Sequence, residues 1–185
     1  MELFEAIYNR QSIGKVKPDP IPPDLIEKLL AAGAQAPNHR EVYPWRFIVI
    51  SGDGRKQLGE ALAASLKAQK PDLADVALDA EKAKFFRSPV IIAVGVDKPS
   101  NPKVVEIENI CAAATAAENI LLAATGLGLV AQWRTGAAAT DANVKALLGL
   151  EADQPLIAFI YVGYPLSEPT PKQRPSYKDR TRWLG

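Results

Sequence analysis

Residues 106–136 read EIENICAAATAAENILLAATGLGLVAQWRTG, and we expect the rest of the chain to pack around this stretch. Its first two-thirds are small and apolar, which is typical of a helix buried on most of its faces. Gly126 and Gly128 end the predicted helix, because glycine tolerates the left-handed geometry of a helix exit. The remaining residues, 129–136, predict a strand that finishes on polar and cationic side chains. The stretch therefore predicts a core helix, then a strand whose far end is a candidate site.

Hydrophobic periodicity predicts four strands interleaved with helices along the whole chain. The strands are expected at residues 45–50, 89–96, 129–136 and 155–164, and the helices at 3–8, 23–33, 53–70, 71–86, 106–126 and 143–148. The strand at 89–96 is apolar on both faces, which favours a central position. Four prolines in residues 16–23 predict an extended crossing segment. We expect one layered α+β domain over residues 1–185, with a central mixed or antiparallel sheet of four strands flanked by helices.

Composition excludes several classes of function. The chain carries 22 basic and 21 acidic residues, so its net charge of +1 favours neither nucleic acid nor an anionic membrane. The apolar residues 110–131 include Glu118, and a charge near the middle of a spanning helix is costly, so we expect no membrane span. The single cysteine, Cys111, is predicted to be buried in the core helix and has no internal partner. Because the first residues are also acidic rather than signal-like, we expect a cytoplasmic protein.

Two familiar kinds of site are disfavoured. Residues 126–131 match the pattern G-x-G-x-x-A, but they follow a predicted helix and open a strand, the reverse of a dinucleotide-binding turn. His39 is the only histidine, and with one buried cysteine it makes neither a nucleophile pair nor a metal site. A chain this poor in catalytic side chains is expected to depend on a bound cofactor.

Loop positions with basic or hydroxyl side chains are the remaining candidates, namely Arg10, Ser12, Lys15, His39, Arg134, Lys172 and Arg174. Arg10 and Ser12 follow the first predicted helix, where a guanidinium and a hydroxyl can fork onto a phosphate. The alternative is a solvated surface arginine. Residues 133–135 end a strand, where sheet proteins commonly bind ligands. Here the alternative is that Trp133 belongs to the core and Arg134 extends to water.

Taken together, these residues resemble the FMN-dependent nitroreductase family, in particular its short YdjA-type branch. The resemblance extends over nearly the whole chain, in order. It rests on Asn9-Arg10-Gln11-Ser12, Ala36-Pro37-Asn38-His39, Pro44-Trp45-Arg46-Phe47, Gly126-Leu127-Gly128, Trp133-Arg134-Thr135-Gly136, Tyr161-Val162-Gly163-Tyr164-Pro165 and Pro171-Lys172-Gln173-Arg174. It implies a homodimer of α+β protomers with one FMN in each of two interface sites. The tail from residue 165 would then wrap the partner, and the alanine-rich face of the core helix would be a dimer contact.

The resemblance also implies a set of cofactor-binding residues and no catalytic side chain, since flavin N5 carries the chemistry. The set is Arg10, Gln11, Ser12, Gln35, His39, Trp133, Arg134, Thr135, Lys172 and Arg174. Residues 10–12 would hold the phosphate and ribityl chain, with Lys172 and Arg174 on the phosphate. Residues 133–135 would line the flavin ring, and Gln35 and His39 would reach in from the partner subunit.

The chain departs from the family pattern at two positions. Many members carry Lys or Arg near flavin N1 and O2 at the position of Gly14, and the YdjA-type branch often has arginine at the position of Gln35. A cation beside the ring would stabilise the anionic reduced flavin. We therefore expect Lys15 or Arg134 to substitute, or else a lower flavin potential.

The implied function is an NAD(P)H-dependent flavin oxidoreductase that reduces nitroaromatics, quinones or similar acceptors by a ping-pong cycle. NAD(P)H would be the transient reductant. One alternative is the same fold using reduced flavin for dehalogenation or flavin fragmentation, with residues 67–84 as a substrate lid. The other is a flavin-binding module without turnover.

Overall fold

The computed structural model describes residues 1–170 and 172–185. Its helices are α1 (Leu3–Asn9), α2 (Pro23–Gly33), α3 (Asp53–Gln69), α4 (Asp75–Ala83), α5 (Glu106–Gly126), α6 (Ala137–Thr140) and α7 (Ala142–Leu147). Its strands are β1 (Trp45–Ser51), β2 (Val90–Val96), β3 (Val130–Arg134) and β4 (Leu156–Gly163). Short 3-10 turns cover His39–Glu41, Lys84–Phe86 and Lys178–Arg180. Each predicted strand is present, and α6 is a turn of helix that the sequence pattern did not indicate.

The four strands form one antiparallel sheet in the order β1-β2-β4-β3. This confirms the predicted four-stranded sheet. The apolar strand β2 lies in the centre as expected, and all seven of its residues are buried. Because the sheet is antiparallel and Gly128 (φ 75°) leads from α5 into β3, the glycine pair is a helix exit and not a dinucleotide-binding turn.

Helices cover both faces of the sheet. On one face, α2 and α5 pack over Ile92, Val94 and Ile160. On the other, α3, α6 and α7 enclose a second core around Ile91 and Phe159. Adjacent residues of a strand point to opposite faces, which is why Ile91 and Ile92 belong to different cores.

The core helix α5 is buried on one side only. Its alanines Ala112, Ala113, Ala116 and Ala117 are buried within the protomer, where their small side chains let the helix lie close to the sheet. Cys111 is exposed on the opposite side, so the prediction that it is buried was wrong. The predicted alanine-rich dimer face was also wrong, because that face already packs within the chain. Alanine is compatible with either side of a helix, so composition alone did not reveal which side of α5 is buried.

Two asparagines in α5 join it to its neighbours. Asn109 Nδ2 donates to the Asp97 carbonyl at 2.9 Å, and Asn119 Nδ2 donates to the Ala32 carbonyl at 3.1 Å. Each side-chain amide therefore satisfies a backbone oxygen at the end of another element. Within the described residues, no helix is long and apolar enough to cross a membrane.

The predicted crossing segment fastens the N-terminal region to the sheet. Val16 forms an antiparallel bridge with Pro165, and the Lys17 amide donates to the Tyr164 carbonyl at 2.8 Å. The segment passes so close to β4 that a Cβ on Gly163 would lie 2.7 Å from the Cβ of Val16. Glycine at this position therefore allows the segment to lie directly on the sheet.

Candidate functional site

The free edge of β3 is lined by the N-terminal segment. Ser12 forms a parallel bridge with Ala131, and the Ile13 amide donates to the Ala131 carbonyl at 3.1 Å. Residues 10–14 therefore run alongside β3 in the same direction, with Arg10 towards its start and Gly14 further along. The end residues of a five-residue strand are about 13 Å apart. We call residues 10–14, residues 130–136 and Arg174 the edge site.

Cationic side chains gather where the edge site begins. Arg174 Nη2 donates to the Arg10 carbonyl at 3.0 Å, which brings these two predicted phosphate residues together. Arg10 Nε lies 3.5 Å from Glu118 Oε1, and the Arg10 side chain is 20% exposed. Because Glu118 contacts Nε, the two terminal nitrogens of Arg10 remain available for a forked contact with an oxyanion.

Gln11 joins the C-terminal tail to the edge site. It is buried, and its Nε2 donates to the Thr170 carbonyl at 2.9 Å, so it ties the tail to the end of α1. Ser12, next to Gln11, and Lys172, two residues after Thr170, are both exposed, whereas Pro171 of the predicted basic motif lies outside the described residues. The side-chain amide nitrogen of Gln11 thus supports the cationic end, and its predicted contact with a cofactor stays a prediction.

A cavity of about 500 Å³ opens where β3 ends. Its walls include the predicted residues Trp133, Arg134 and Thr135. The indole of Trp133 packs towards the α5 core and its Nε1 donates to the Ile157 carbonyl at 2.9 Å, so its ring is a core side chain. Arg134 faces the other side of the sheet, with its guanidinium carbon 5.8 Å from the Tyr161 ring centre. Of the predicted ring-lining residues, Trp133 therefore packs into the core, and Arg134 contributes a positive charge to the cavity.

Sequence reasoning missed several side chains of this cavity, namely Lys84, Arg87, Gln132, Phe159 and Tyr161. They come from separate parts of the chain and share no motif. The alternation of β4 could have placed Phe159 and Tyr161 on the same face as Arg134, but only with the strand register known. The register pairs Gln132 with Tyr161 and Arg134 with Phe159.

The phenol of Tyr161 stays protonated over the ordinary pH range. Burial raises its pKa to about 12, although the positive charges of Arg134 and Arg87 oppose the shift. In the unfolded chain the pKa is about 10. The protonated phenol therefore supports folding below pH 10, and that contribution is lost as pH rises towards about 12.

We expect this loss to be roughly 2 kcal/mol, from the size of the pKa difference. Urea unfolding of the wild type and Tyr161→Phe between about pH 9 and pH 12 would measure it, because phenylalanine does not titrate. The stability of the wild type should fall more steeply. Parallel plots of unfolding free energy against pH for the two proteins would show that folding does not raise the pKa of Tyr161.

Gly14 packs closely against the side chain of Gln132. A Cβ on Gly14 would lie 2.3 Å from Gln132 Oε1, so the amide occupies the space that a larger side chain would need. The Gln132 amide therefore occupies the space beside position 14, where many family members carry Lys or Arg. Lys15 is exposed and lies outside the lining of the cavity, whereas Arg134 lines it.

The close approach predicts energetic coupling between positions 14 and 132. Gly14→Ala should destabilise the protein by roughly 1 kcal/mol because the amide must move. In a Gln132→Ala background the same change should cost nothing. Chemical unfolding of the four proteins in this double-mutant cycle gives the coupling, expected to be at least about 0.5 kcal/mol. Additive effects would contradict the contact.

His39 lies away from the cationic end of the same protomer. Gln35 and His39 are both exposed, and His39 lines a shallow cavity with Cys111 on the outward side of α5. Cys111 precedes Glu118, the partner of Arg10, by seven residues, or about 10 Å along a helix. The structure therefore does not bring His39 to Arg10 within one chain.

The loop that carries His39 has an unusual backbone. Arg40, Glu41 and Tyr43 have φ values of 54°, 52° and 47°, which non-glycine residues rarely adopt. The Asn38 side-chain oxygen accepts a hydrogen bond from the Tyr43 amide at 2.9 Å and closes the loop. Strain of this kind is concentrated at functional loops, which supports a role for this segment.

Comparison with known proteins decides the family. The Nitroreductase family model matches residues 7–164, which include both ends of the sheet and most of the edge site. The chain belongs to the nitroreductase family. This confirms the resemblance inferred from the motifs.

Nitroreductase relatives match along almost the full chain. "Putative NAD(P)H nitroreductase YfhC" of Bacillus subtilis is 32% identical, covering 96% of this chain and 92% of the relative. "Putative NAD(P)H nitroreductase YdjA" of Escherichia coli is 31% identical, covering 89% of each. These two nitroreductases support the predicted YdjA-type branch.

Solved nitroreductase structures share the fold. A nitroreductase-like family protein from Bacillus cereus superposes with a TM-score of 0.83 at 22% identity, covering 100% of this chain and 96% of that one. A structure from Desulfovibrio desulfuricans, described as "a putative nitroreductase in complex with fmn", gives a TM-score of 0.76 at 25% identity over 100% and 98%. The predicted nitroreductase-like α+β fold is therefore confirmed.

Proposed function

We propose that this protein is an FMN-dependent NAD(P)H oxidoreductase that reduces nitroaromatics, quinones or similar acceptors, with residues 1–185 as one domain. The observation that carries the proposal is the edge site itself. A strand about 13 Å long has Arg10 and the guanidinium of Arg174 beside its start and a cavity of about 500 Å³ at its end. Flavin mononucleotide has the same layout, with a phosphate at one end and a ring at the other. The names of the relatives agree with this function.

The residues fit FMN in a definite direction. Arg10 and Arg174 would hold the FMN phosphate with help from Lys172, and the Ser12 hydroxyl would bind the ribityl chain of FMN. Arg134 and Thr135 would face the ring, while Trp133 fixes the strand end from the core side. When bound, FMN supplies a ring that accepts a hydride from NAD(P)H and passes it to the acceptor. The protein orients NAD(P)H and the acceptor against the ring, and none of its side chains acts as a nucleophile.

We further propose a cytoplasmic homodimer in which Gln35 and His39 complete the partner's site. Apolar side chains are exposed on α1 and the tail, namely Leu3, Phe4, Ile7, Tyr8, Trp183 and Leu184. An exposed apolar surface of this kind is typical of a protein interface. The position of His39, away from Arg10 of its own chain, fits a contribution across such an interface.

The dimer makes a simple prediction about mass. Sedimentation equilibrium should give twice the chain mass of 20.0 kDa. Replacing Phe4 by Glu should shift the protein towards the monomer and reduce its FMN content, because each site needs both chains. A monomeric wild type that retains full FMN would contradict the shared site.

Steady-state kinetics test the proposed function. The purified protein should contain about one FMN per chain, and double-reciprocal plots at several NADPH concentrations should be parallel, as expected for a ping-pong cycle. Product analysis with nitroaromatic, quinone and halogenated acceptors separates this function from dehalogenation. The proposal fails if FMN binds but NAD(P)H does not reduce it, since that is the behaviour of a flavin-binding module without turnover.

A further inference from the structure

Arg87 lies at the mouth of the cavity next to the edge site. It follows the 3-10 turn Lys84–Phe86 and is exposed, whereas Tyr161 in the same cavity is 6% exposed. Arg134 is half-buried between these extremes. The cationic lining thus runs from the solvent at Arg87 towards a buried phenol, and Arg87 is its solvent-exposed cation.

The backbone around Arg87 is anchored on both sides. Phe85 is buried and meets Phe159 edge to face, with ring centres 6.4 Å apart. The Ser88 carbonyl accepts a hydrogen bond from Arg55 Nη1 at 2.8 Å, and the Ser88 hydroxyl donates to the Val90 carbonyl at 2.7 Å. The backbone that carries Arg87 is therefore fixed on both sides, beside the cavity.

The charge in the cavity is unbalanced. Glu81 is the acidic side chain among the lining residues, and it forms an ion pair with Lys84. Within the described part of the chain, neither Arg87 nor Arg134 forms an ion pair with a carboxylate. Two positive charges therefore lie beside the aromatic walls, a combination that suits a planar anion.

We propose that Arg87 is a specificity residue that makes the enzyme prefer aromatic acceptors carrying an anionic group, such as a carboxylate, over neutral acceptors of the same shape. The inference rests on the proposed function, because it assigns the substrate class of that same site. Arg87 attracts the anionic substituent, and the reducible group of the acceptor is directed into the cavity. The nitro group takes up two electrons and two protons from reduced flavin and solvent, giving the nitroso compound and water.

A pair of matched acceptors tests this. The holoenzyme is reduced anaerobically and mixed with 4-nitrobenzoate or with neutral 4-nitrobenzamide, and reoxidation of the flavin is followed by stopped flow. The ratio of the two second-order rate constants cancels differences in protein concentration and flavin content. Arg87→Gln should lower the benzoate-to-benzamide ratio about fivefold, the scale of one solvent-accessible ion pair.

The control variant is Lys56→Gln, which also removes one positive charge. Lys56 is exposed on α3, pairs with Glu60 at 3.8 Å and is absent from the cavity lining. The benzoate-to-benzamide ratio should match that of the wild type in this control. A binding measurement without turnover, in which 4-nitrobenzoate perturbs the absorbance of the oxidised holoenzyme, should show weaker binding in Arg87→Gln only.

Two other results with Arg87→Gln would contradict the inference, and one result with the wild type would contradict the proposed function. An unchanged ratio in Arg87→Gln shows that the side chain does not select the acceptor. An equal slowing of both acceptors, together with a lower midpoint potential of the bound flavin, shows that Arg87 acts on the cofactor instead. If NADPH fails to reduce the wild type, the proposed function itself is wrong, a result that does not depend on Arg87.

Discussion

Arg10→Ala should lose most of its bound FMN. The Arg10 guanidinium contacts Glu118 through Nε, which leaves its two terminal nitrogens for the phosphate, and Arg174 donates to the Arg10 carbonyl. A hydrogen bond to a charged group contributes about 1.5–3 kcal/mol, which corresponds to a dissociation constant roughly 10- to 150-fold higher. Titration of the apoprotein with FMN, followed by flavin fluorescence, measures the change.

Two controls separate the phosphate contact from general effects of charge. Arg10→Lys keeps the charge but loses the fork, so it should bind FMN with an intermediate affinity. Arg46→Ala removes a guanidinium that pairs with Asp97 at 2.8 Å at the opposite edge of the sheet, and it should bind FMN normally. If Arg10→Ala binds within twofold of the wild type, the phosphate does not lie at Arg10.

Phe159→Ala should cause the largest loss of stability. Phe159 is 1% exposed, packs edge to face on Phe85 and lies opposite Arg134 in the sheet. Truncating a buried phenylalanine costs about 3–5 kcal/mol, a large part of the 5–15 kcal/mol that stabilises a typical domain. Guanidinium unfolding of the apoprotein, which excludes the contribution of cofactor binding, gives the difference in free energy of unfolding.

Phe159→Leu is the matched control, since it keeps most of the buried volume. It should cost less than about 1.5 kcal/mol. A loss below about 1 kcal/mol in Phe159→Ala would mean that the cavity side of the sheet collapses around the missing ring. In that case Phe159 would not be the support of the cavity wall that its contacts indicate.

The strands and most helices were predictable because their patterns are local. The run at β2 is apolar at every position, and such a run is stable only between two covered faces. Asp141 is a common type of N-cap residue, and its side chain accepts a hydrogen bond from the Val144 amide at 2.9 Å. α6 was missed because four residues are too few to show a helical period.

Burial within α5 was less predictable. Alanine fits on either side of a helix, so a sequence rich in alanine does not show which side faces the sheet. Cys111 was therefore expected in the core and lies on the exposed side. The polar residue Asn119 would have been the better guide, because its amide reaches the end of α2 and fixes the orientation of the helix.

The site was predictable only where its residues form motifs. Arg10 and Arg174 are 164 positions apart in the chain, yet both were found from local patterns, and the structure brings them together. Arg87 belongs to no motif, and its place depends on the turn before β2. Tyr161 lies in a motif, but its position in the cavity depends on strand register. The family pattern places a cation at the position of Gly14, and the structure shows the Gln132 amide packed closely against this glycine.

An anaerobic titration of the purified protein tests the central claim most directly. About one equivalent of NADPH or NADH per bound FMN should bleach the flavin absorbance, and a nitroaromatic added without oxygen should then restore it. The first step shows hydride transfer to the cofactor, and the second shows that the acceptor reoxidises the same centre. A protein that stays colourless after incubation with FMN, or whose flavin neither nicotinamide bleaches, would contradict the account.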